Sequence, residues 1–153
     1  SFEIGAHKVL SNGVKSNNFS ETYDFEFDIE SSGNLIYINP IFIKFFNDNP
    51  FKLQTRTYPI DFGYKDTYTY TLKLNLGDYY EVENLPDKLS FSLPNNKGAI
   101  GFSAVVQNNY VSIVFRFDFK ASIYEPEYYS SLKKYFSKII ELQSNSLITL
   151  RKK

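Results

Sequence analysis

Strict alternation of apolar and polar residues over long runs is the feature of this sequence that most constrains its fold. In residues 66–76, tyrosine or leucine occupies every even position from Tyr68 to Leu76, and threonine, Lys73 or Asn75 occupies the odd positions between them. Side chains of a β-strand point alternately to its two faces, so this run predicts a strand with one buried and one solvated face. A helix would spread the same residues around its whole axis.

Other parts of the chain repeat this period of two. Residues 23–29, 89–93, 100–106 and 111–120 all alternate apolar with polar or small side chains. Residues 35–41 form a more continuous apolar run, which predicts a strand covered on both faces. The chain is therefore predicted to consist mainly of β-strands.

Turn-forming residues lie between these runs. Two asparagines at 108–109 form a two-residue connection, and asparagine tolerates the positive φ that such hairpin turns need. Gly-Asp at 77–78 and Pro-Asn-Asn-Lys-Gly at 94–98 supply further turns. Because these connections are short, residues 66–121 predict an antiparallel meander.

After Pro126 the period changes to that of a helix. Apolar residues then fall on one helical stripe, and lysines and serines occupy the opposite side. The stripe comprises Tyr128, Leu132, Tyr135, Phe136, Ile139 and Ile140. Proline suits the first position of a helix, so a helix is expected over about 126–142, with a short strand at 147–150.

Together these periods predict an all-β fold, an antiparallel β-sandwich of immunoglobulin-like or related type with one C-terminal amphipathic α-helix. A curved sheet closed by the helix, as in lipid carriers, is the alternative that fits the same periods. A length of 153 residues suits one domain, 1–153, in which residues 1–34 supply lead-in strands.

Composition excludes several classes of activity. The sequence has no cysteine and one histidine, His7, so it offers no thiol nucleophile, no thiolate metal site and no multi-histidine site. Its net charge is zero, which argues against nucleic-acid binding through counterion release. It also lacks a Gly-x-Ser-x-Gly motif and the ~20-residue apolar run of a membrane helix. We expect neither enzymatic activity nor a cofactor, metal or membrane span.

Several short motifs in one order resemble a known family. They are Asn-Pro-Phe at 49–51, Tyr-Pro-Ile-Asp-Phe-Gly-Tyr at 58–64, Tyr-Tyr-Glu-Val-Glu-Asn-Leu-Pro at 79–86, and Pro-Glu-Tyr-Tyr at 126–129 before a lysine-rich helix. Over about 35–153 the chain resembles the C-terminal β-domain, of unassigned function, that follows a transglutaminase-like core in exported proteins of Gram-negative bacteria.

This resemblance implies an accessory and interaction domain in the periplasm or cell envelope. In that family the catalytic cysteine and its partners belong to the upstream core, so no catalytic residue carries over to this cysteine-free chain. The implied partner is that core or another envelope protein. A carbohydrate-binding module that uses surface tyrosines is the alternative function, and a hydrolase is the least favoured.

Five residues are the candidates for binding a partner or ligand: Tyr58, Asp61, Tyr64, Tyr79 and Tyr80. Exposed tyrosines can stack on sugar rings or form protein contacts. Asp61, flanked by apolar residues and followed by Phe-Gly, is either a buried acid or, as we favour, a turn residue that accepts backbone hydrogen bonds.

Two other groups of polar residues favour structural roles. Asp24, Glu26, Asp28 and Glu30 alternate on one strand face, which suits a solvated surface better than a calcium site because a flat row cannot wrap an ion. His7 has no partner evident in the sequence, so it is expected to be a surface or hydrogen-bonded side chain.

Overall fold

A computed structural model describes residues 2–14, 17–28 and 33–153. The chain divides into two compact units, Ser1–Gly33 and Asn34–Lys153. The first is an antiparallel hairpin of β1 (Phe2–Asn12) and β2 (Phe19–Phe27). The single domain proposed for 1–153 stays a prediction.

The hairpin is amphipathic. Cross-strand partners share a face, which places His7 with Tyr23 on an aromatic face and the opposed Glu3 and Glu26 on the other. The His7 ring stacks on Tyr23 at 4.5 Å between centroids, and its Nε2 lies 3.1 Å from a carboxylate oxygen of Glu21. His7 is therefore a hydrogen-bonded surface side chain, as predicted.

The predicted acidic row is only partly described. Asp24 and Glu26 are exposed on β2, Asp28 follows that strand, and Glu30 lies outside the described residues, as does Ile29 at the end of the predicted strand. Within the described residues, no group of three or more His, Asp or Glu side chains is placed to hold a metal.

The second unit contains nine strands and one helix. They are β3 (Leu35–Ile38), β4 (Ile60–Asp61), β5 (Asp66–Asn75), β6 (Tyr80–Asn84), β7 (Leu89–Ser92), β8 (Ala99–Gln107), β9 (Tyr110–Phe119), β10 (Ile123–Tyr124), α1 (Tyr129–Asn145) and β11 (Ile148–Lys152). The sheets run β5-β9-β8-β7, β3-β11-β6 and β10-β4, and every pair is antiparallel. The predicted all-β sandwich with one C-terminal helix is confirmed.

Alternation along β5 and β9 places one face of the four-stranded sheet in the core. Phe115 and Phe117 have no exposed surface, and they pair across the sheet with Tyr70 and Tyr68. The predicted stripe of α1 packs over this face, where the ring of Phe136 lies 5.4 Å from that of Phe119. The helix therefore shields the aromatic sheet face from water, which is the main apolar burial of the fold.

Two expectations about the strands were wrong in part. Only β7, β8 and β9 form a meander, because β5 pairs with β9 and β6 leaves this sheet to pair with β11. Alternation decides which face of a strand is buried, but it does not choose the pairing partner. The expected doubly covered strand is the short β3, an edge strand in which Leu35 and Tyr37 remain exposed.

A strap without regular structure, residues 39–59, connects β3 to β4. Its first part is tied to α1: Asn39 Nδ2 donates to the Gln143 carbonyl at 2.8 Å, and Asn49 Nδ2 donates to the Lys133 carbonyl at 2.8 Å. The strap also inserts aromatic rings between the helix and the sheet, such as Phe46, 4.8 Å from Phe136. These contacts fix the point from which the chain enters β4.

Four buried tyrosines donate hydrogen bonds from their hydroxyl groups to backbone carbonyls. Tyr129 is one of these buried rings, at 4% exposure. The pairs are Tyr70 with Pro40, Tyr124 with Lys97, Tyr129 with Leu53, and Tyr135 with Ala99 and Asp118, at 2.7 to 3.0 Å.

These tyrosines predict a loss of stability at alkaline pH. Burial raises the pKa of Tyr70, Tyr124 and Tyr135 above the ordinary value of 10.0. Above pH 10 the unfolded chain releases these protons while the folded chain holds them, so the free energy of unfolding falls as pH rises. Urea unfolding between pH 8 and 11.5 measures the slope. Tyr135→Phe should make the slope shallower and the exposed-site control Tyr37→Phe should not; equal slopes would contradict the assignment.

Candidate partner-binding surface

The five candidate residues lie in two groups, one at each end of β5. Tyr58, Asp61 and Tyr64 precede the strand, and Tyr79 and Tyr80 follow it. Nine residue steps from Asp66 to Asn75 at about 3.3 Å each separate the strand ends by roughly 30 Å. The five side chains therefore cannot form one continuous platform.

The first group is built around the two-residue pairing of β4 with β10. Ile60 and its partner Tyr124 are buried, whereas Asp61 and its partner Ile123 are exposed. A bond of 2.8 Å from the Phe62 N–H to the Ser122 carbonyl extends the pairing. The buried pair anchors this short ribbon in the core, so the exposed pair is held on a rigid support.

Asp61 forms the turn that was expected of it. Its Oδ1 accepts a hydrogen bond of 2.7 Å from the Gly63 N–H, and Gly63 has a φ of 79°, which glycine adopts without strain. Because Asp61 is exposed, the buried-acid interpretation is wrong. The nearby Arg56 donates from Nε to the Tyr58 carbonyl at 3.1 Å.

Large side chains surround this turn in the solvent. Tyr58 is 76% exposed, Tyr64 66% and Ile123 49%. We call the set Tyr58, Asp61, Tyr64 and Ile123 the β4 patch. Its members cluster because both tyrosines lie within three residues of Asp61 and Ile123 pairs with it. An exposed group of large apolar side chains is typical of a contact surface.

Sequence reasoning missed Ile123. A strand of two residues is too short to show a period, so its position opposite Asp61 has no signal in the sequence.

The second group lies at the start of β6, where Tyr79 precedes the strand and Tyr80 is its first residue. Tyr79 is 73% exposed, its carbonyl accepts a 2.9 Å bond from the Lys153 N–H, and Tyr80 is half-buried opposite Lys152. The basic residues Arg151 and Lys152 are part of β11, and Arg151 forms a 2.7 Å ion pair with Glu83. This group presents one exposed ring rather than a patch.

An open groove of about 470 Å³ lies between the loop after β6 and the end of α1. Its lining includes Pro86, Asp87, Glu141 and Leu147, and Glu141 is paired with Lys138 at 2.7 Å. Because it is open to solvent, this groove is not the enclosed apolar cavity that a lipid carrier requires.

Comparison with known proteins agrees with this fold. Residues 34–149 match a family described as a domain of unknown function with a solved structure, DUF3858. No curated protein matches the sequence. Among the described residues, none of the helices is long and apolar enough to cross a membrane.

A solved structure from Parabacteroides distasonis, described as a "putative protease", has a similar fold. The TM-score is 0.60 with 13% sequence identity, over 79% of this chain and 24% of that protein. At this identity the likeness concerns the fold alone. The chain thus spans about a quarter of the length of the protein that it matches.

Proposed function

Because the chain belongs to the DUF3858 family, whose function is unknown, we propose that it is a non-catalytic accessory and interaction domain of an exported bacterial protein. In this proposal it follows a transglutaminase-like core in the periplasm or cell envelope. The β4 patch is the surface that contacts the core.

The β4 patch is the observation that carries the proposal. Tyrosine is enriched at protein interfaces because its ring offers a large contact area and its hydroxyl tolerates water. Here Tyr64 directly follows a turn held by Asp61 and Gly63, and the Tyr58 carbonyl accepts from Arg56, so a partner would find both residues already ordered. Binding to an ordered surface costs less conformational entropy.

The likeness to a longer protein supports a role beside another domain. In the Parabacteroides protein, a fold of this kind accounts for 24% of the chain. A domain of that size commonly contacts its neighbours through a surface of moderate area.

A non-catalytic role is supported by the chemistry that the sequence offers. Transglutaminase and cysteine-peptidase reactions need a thiolate nucleophile, and the sequence contains no cysteine. Its one histidine, His7, is stacked on Tyr23 and bonded to Glu21 in the hairpin.

Isothermal titration of the 153-residue chain against the separately expressed core tests the contact. Tyr58→Ala with Tyr64→Ala is expected to weaken binding at least tenfold, because central interface tyrosines commonly contribute ~2 kcal/mol or more. Tyr79→Ala is the matched control, since its ring is equally exposed at the other end of β5. No heat with the unaltered chain, or equal loss in both variants, would contradict the proposal.

Carbohydrate binding is the second candidate, because two exposed tyrosine rings flank the exposed carboxylate of Asp61. A glycan array that shows binding by the unaltered chain, lost in Tyr58→Ala but kept in Tyr79→Ala, would favour it. An array without binding would leave the protein contact as the function of the β4 patch.

A further inference from the structure

Strand β5 forms the longest open edge of the second unit. It is the outer strand of the four-stranded sheet and has ten residues, whereas the edge strands β7, β3 and β6 have four, four and five. Pro94 and Pro40 follow closely after β7 and β3, and β6 carries two glutamates. Short length, proline and charge protect sheet edges from pairing, and β5 has little of this protection.

The backbone groups of β5 that face this edge can be identified. The Leu76 N–H donates to the Asn109 carbonyl at 2.8 Å, which continues the ladder between β5 and β9 and assigns its hydrogen bonds to even-numbered residues. In an antiparallel pair the alternate residues point their N–H and C=O groups away from the partner strand. The odd-numbered residues Thr67, Thr69, Thr71 and Lys73 therefore direct theirs to the open edge.

Only one of these four N–H groups has another partner. Thr67 donates to the carboxylate of Asp66 at 2.8 Å. Within residues 2–14, 17–28 and 33–153, no further backbone or side-chain hydrogen bond reaches the N–H of Thr69, Thr71 or Lys73. A row of unpaired donors and acceptors in an extended strand is matched by another extended strand.

We propose that this strand is β5 of a second copy of the chain, paired antiparallel about a two-fold axis at Tyr70. Thr69 then faces Thr71 of the second copy, and Thr67 faces Lys73 of the second copy. Each Thr69–Thr71 pair forms two hydrogen bonds, and each Thr67–Lys73 pair forms one because the Thr67 N–H stays on Asp66, which gives about six across the interface. The two four-stranded sheets join into one continuous sheet, an isologous interface that closes as a dimer.

Charge and strand length select this register over its neighbours. With the axis at Tyr70 the four edge-facing residues pair with one another, and Lys73, whose ammonium lies 4.1 Å from the centre of the Tyr110 ring, faces an uncharged threonine. Moving the axis to Thr69 would place Lys73 opposite Lys65 of the second copy, and like charges directly opposite are destabilising. Moving it to Thr71 would pair Thr67 with Asn75, the last residue of the strand, whose side chain already accepts from the Gly77 N–H.

The side chains of β5 that point to the core face also favour a dimer. Tyr68 and Leu74 point to the core face of β5 but remain half-exposed, unlike their neighbours Tyr70 and Leu72. In the proposed register Tyr68 lies opposite Leu72 of the second copy and Leu74 lies opposite Asp66. Pairing would therefore remove apolar surface of β5 from water.

Sedimentation equilibrium of the 153-residue chain tests the dimer. We expect a species of twice 17.8 kDa. Thr69→Lys with Thr71→Lys sets lysines opposite each other across the axis, and should raise the dimer dissociation constant at least tenfold. The control Ser90→Lys with Val105→Lys adds the same charge to exposed positions of β7 and β8 and should leave the constant unchanged. Thermal unfolding confirms that each variant is folded.

An added charge tests the register independently. Thr67→Glu should strengthen the dimer, because Thr67 faces Lys73 of the second copy in this register, and adding Lys73→Glu to it should remove the gain. A single 17.8 kDa species for the unaltered chain up to about 1 mM would overturn the proposal. A dimer insensitive to the two lysines at 69 and 71, an equal loss in the control, or no gain from Thr67→Glu would overturn it as well.

Discussion

Replacing Gln143 with alanine is expected to lower the free energy of unfolding by about 3–4 kcal/mol. The Gln143 side chain is buried on α1, and its amide group forms hydrogen bonds with the backbone of the strap, as a neighbouring strand would. Its Oε1 accepts from the N–H of Phe45 at 2.8 Å and of Phe46 at 3.3 Å, and its Nε2 donates to the Phe46 carbonyl at 2.9 Å. Alanine would leave these partly buried backbone groups unpaired, and each such group costs about 1–3 kcal/mol.

Urea unfolding measures the loss, with Gln107→Ala as the control at an exposed strand end. The control should change stability by less than about 0.5 kcal/mol. Hydrogen exchange adds a local readout, since the amides of Phe45 and Phe46 should exchange faster in Gln143→Ala. A loss below 1 kcal/mol with unchanged exchange at these amides would show that Gln143 does not hold the strap.

Replacing Gly98 with alanine is expected to cost about 2–3 kcal/mol, for a steric reason. A Cβ at this position would lie 2.6 Å from the Asp118 carbonyl oxygen, 3.0 Å from a methyl of Leu93 and 3.4 Å from the Tyr135 hydroxyl. The Asp118 carbonyl cannot easily move, because it accepts a 2.7 Å hydrogen bond from that buried hydroxyl.

Gly101→Ala provides a matched control three residues further along the chain. A Cβ at Gly101 would meet no atom within 4 Å, so the change should alter the free energy of unfolding by less than about 0.5 kcal/mol. Thermal or urea unfolding of both variants makes the comparison. Equal effects would mean that the close approach of backbone at Gly98 is relieved by small shifts, and would refute the steric explanation.

Local periods predicted the secondary structure of the second unit well. The runs at 66–76 and 111–120 became β5 and β9, and the helical stripe after Pro126 became α1, which ends at Asn145. These elements were predictable because burial of one face forces a period of 2 or 3.6 on the sequence. The asparagine pair at 108–109 was equally readable, since Asn108 adopts the positive φ that the turn needs.

The candidate surface was only partly predictable. Tyr58, Asp61 and Tyr64 were named from their motif, but Ile123 joins them through a pairing across more than sixty residues of sequence. Tyr79 and Tyr80 were named with them, although β5 separates the two groups. Sequence motifs report which residues are close along the chain, and they do not report distances across the folded surface.

By itself the sequence determined that these 153 residues form an antiparallel β fold with one amphipathic helix and contain no cysteine. The tertiary structure decided that β5 pairs with β9 and leaves a ten-residue edge open, and that Gln143 holds the strap beside the helix. The physical reason is that a strand's period records only which face is buried. Which strand it pairs with depends on contacts between residues far apart in the sequence, and a local pattern does not record these.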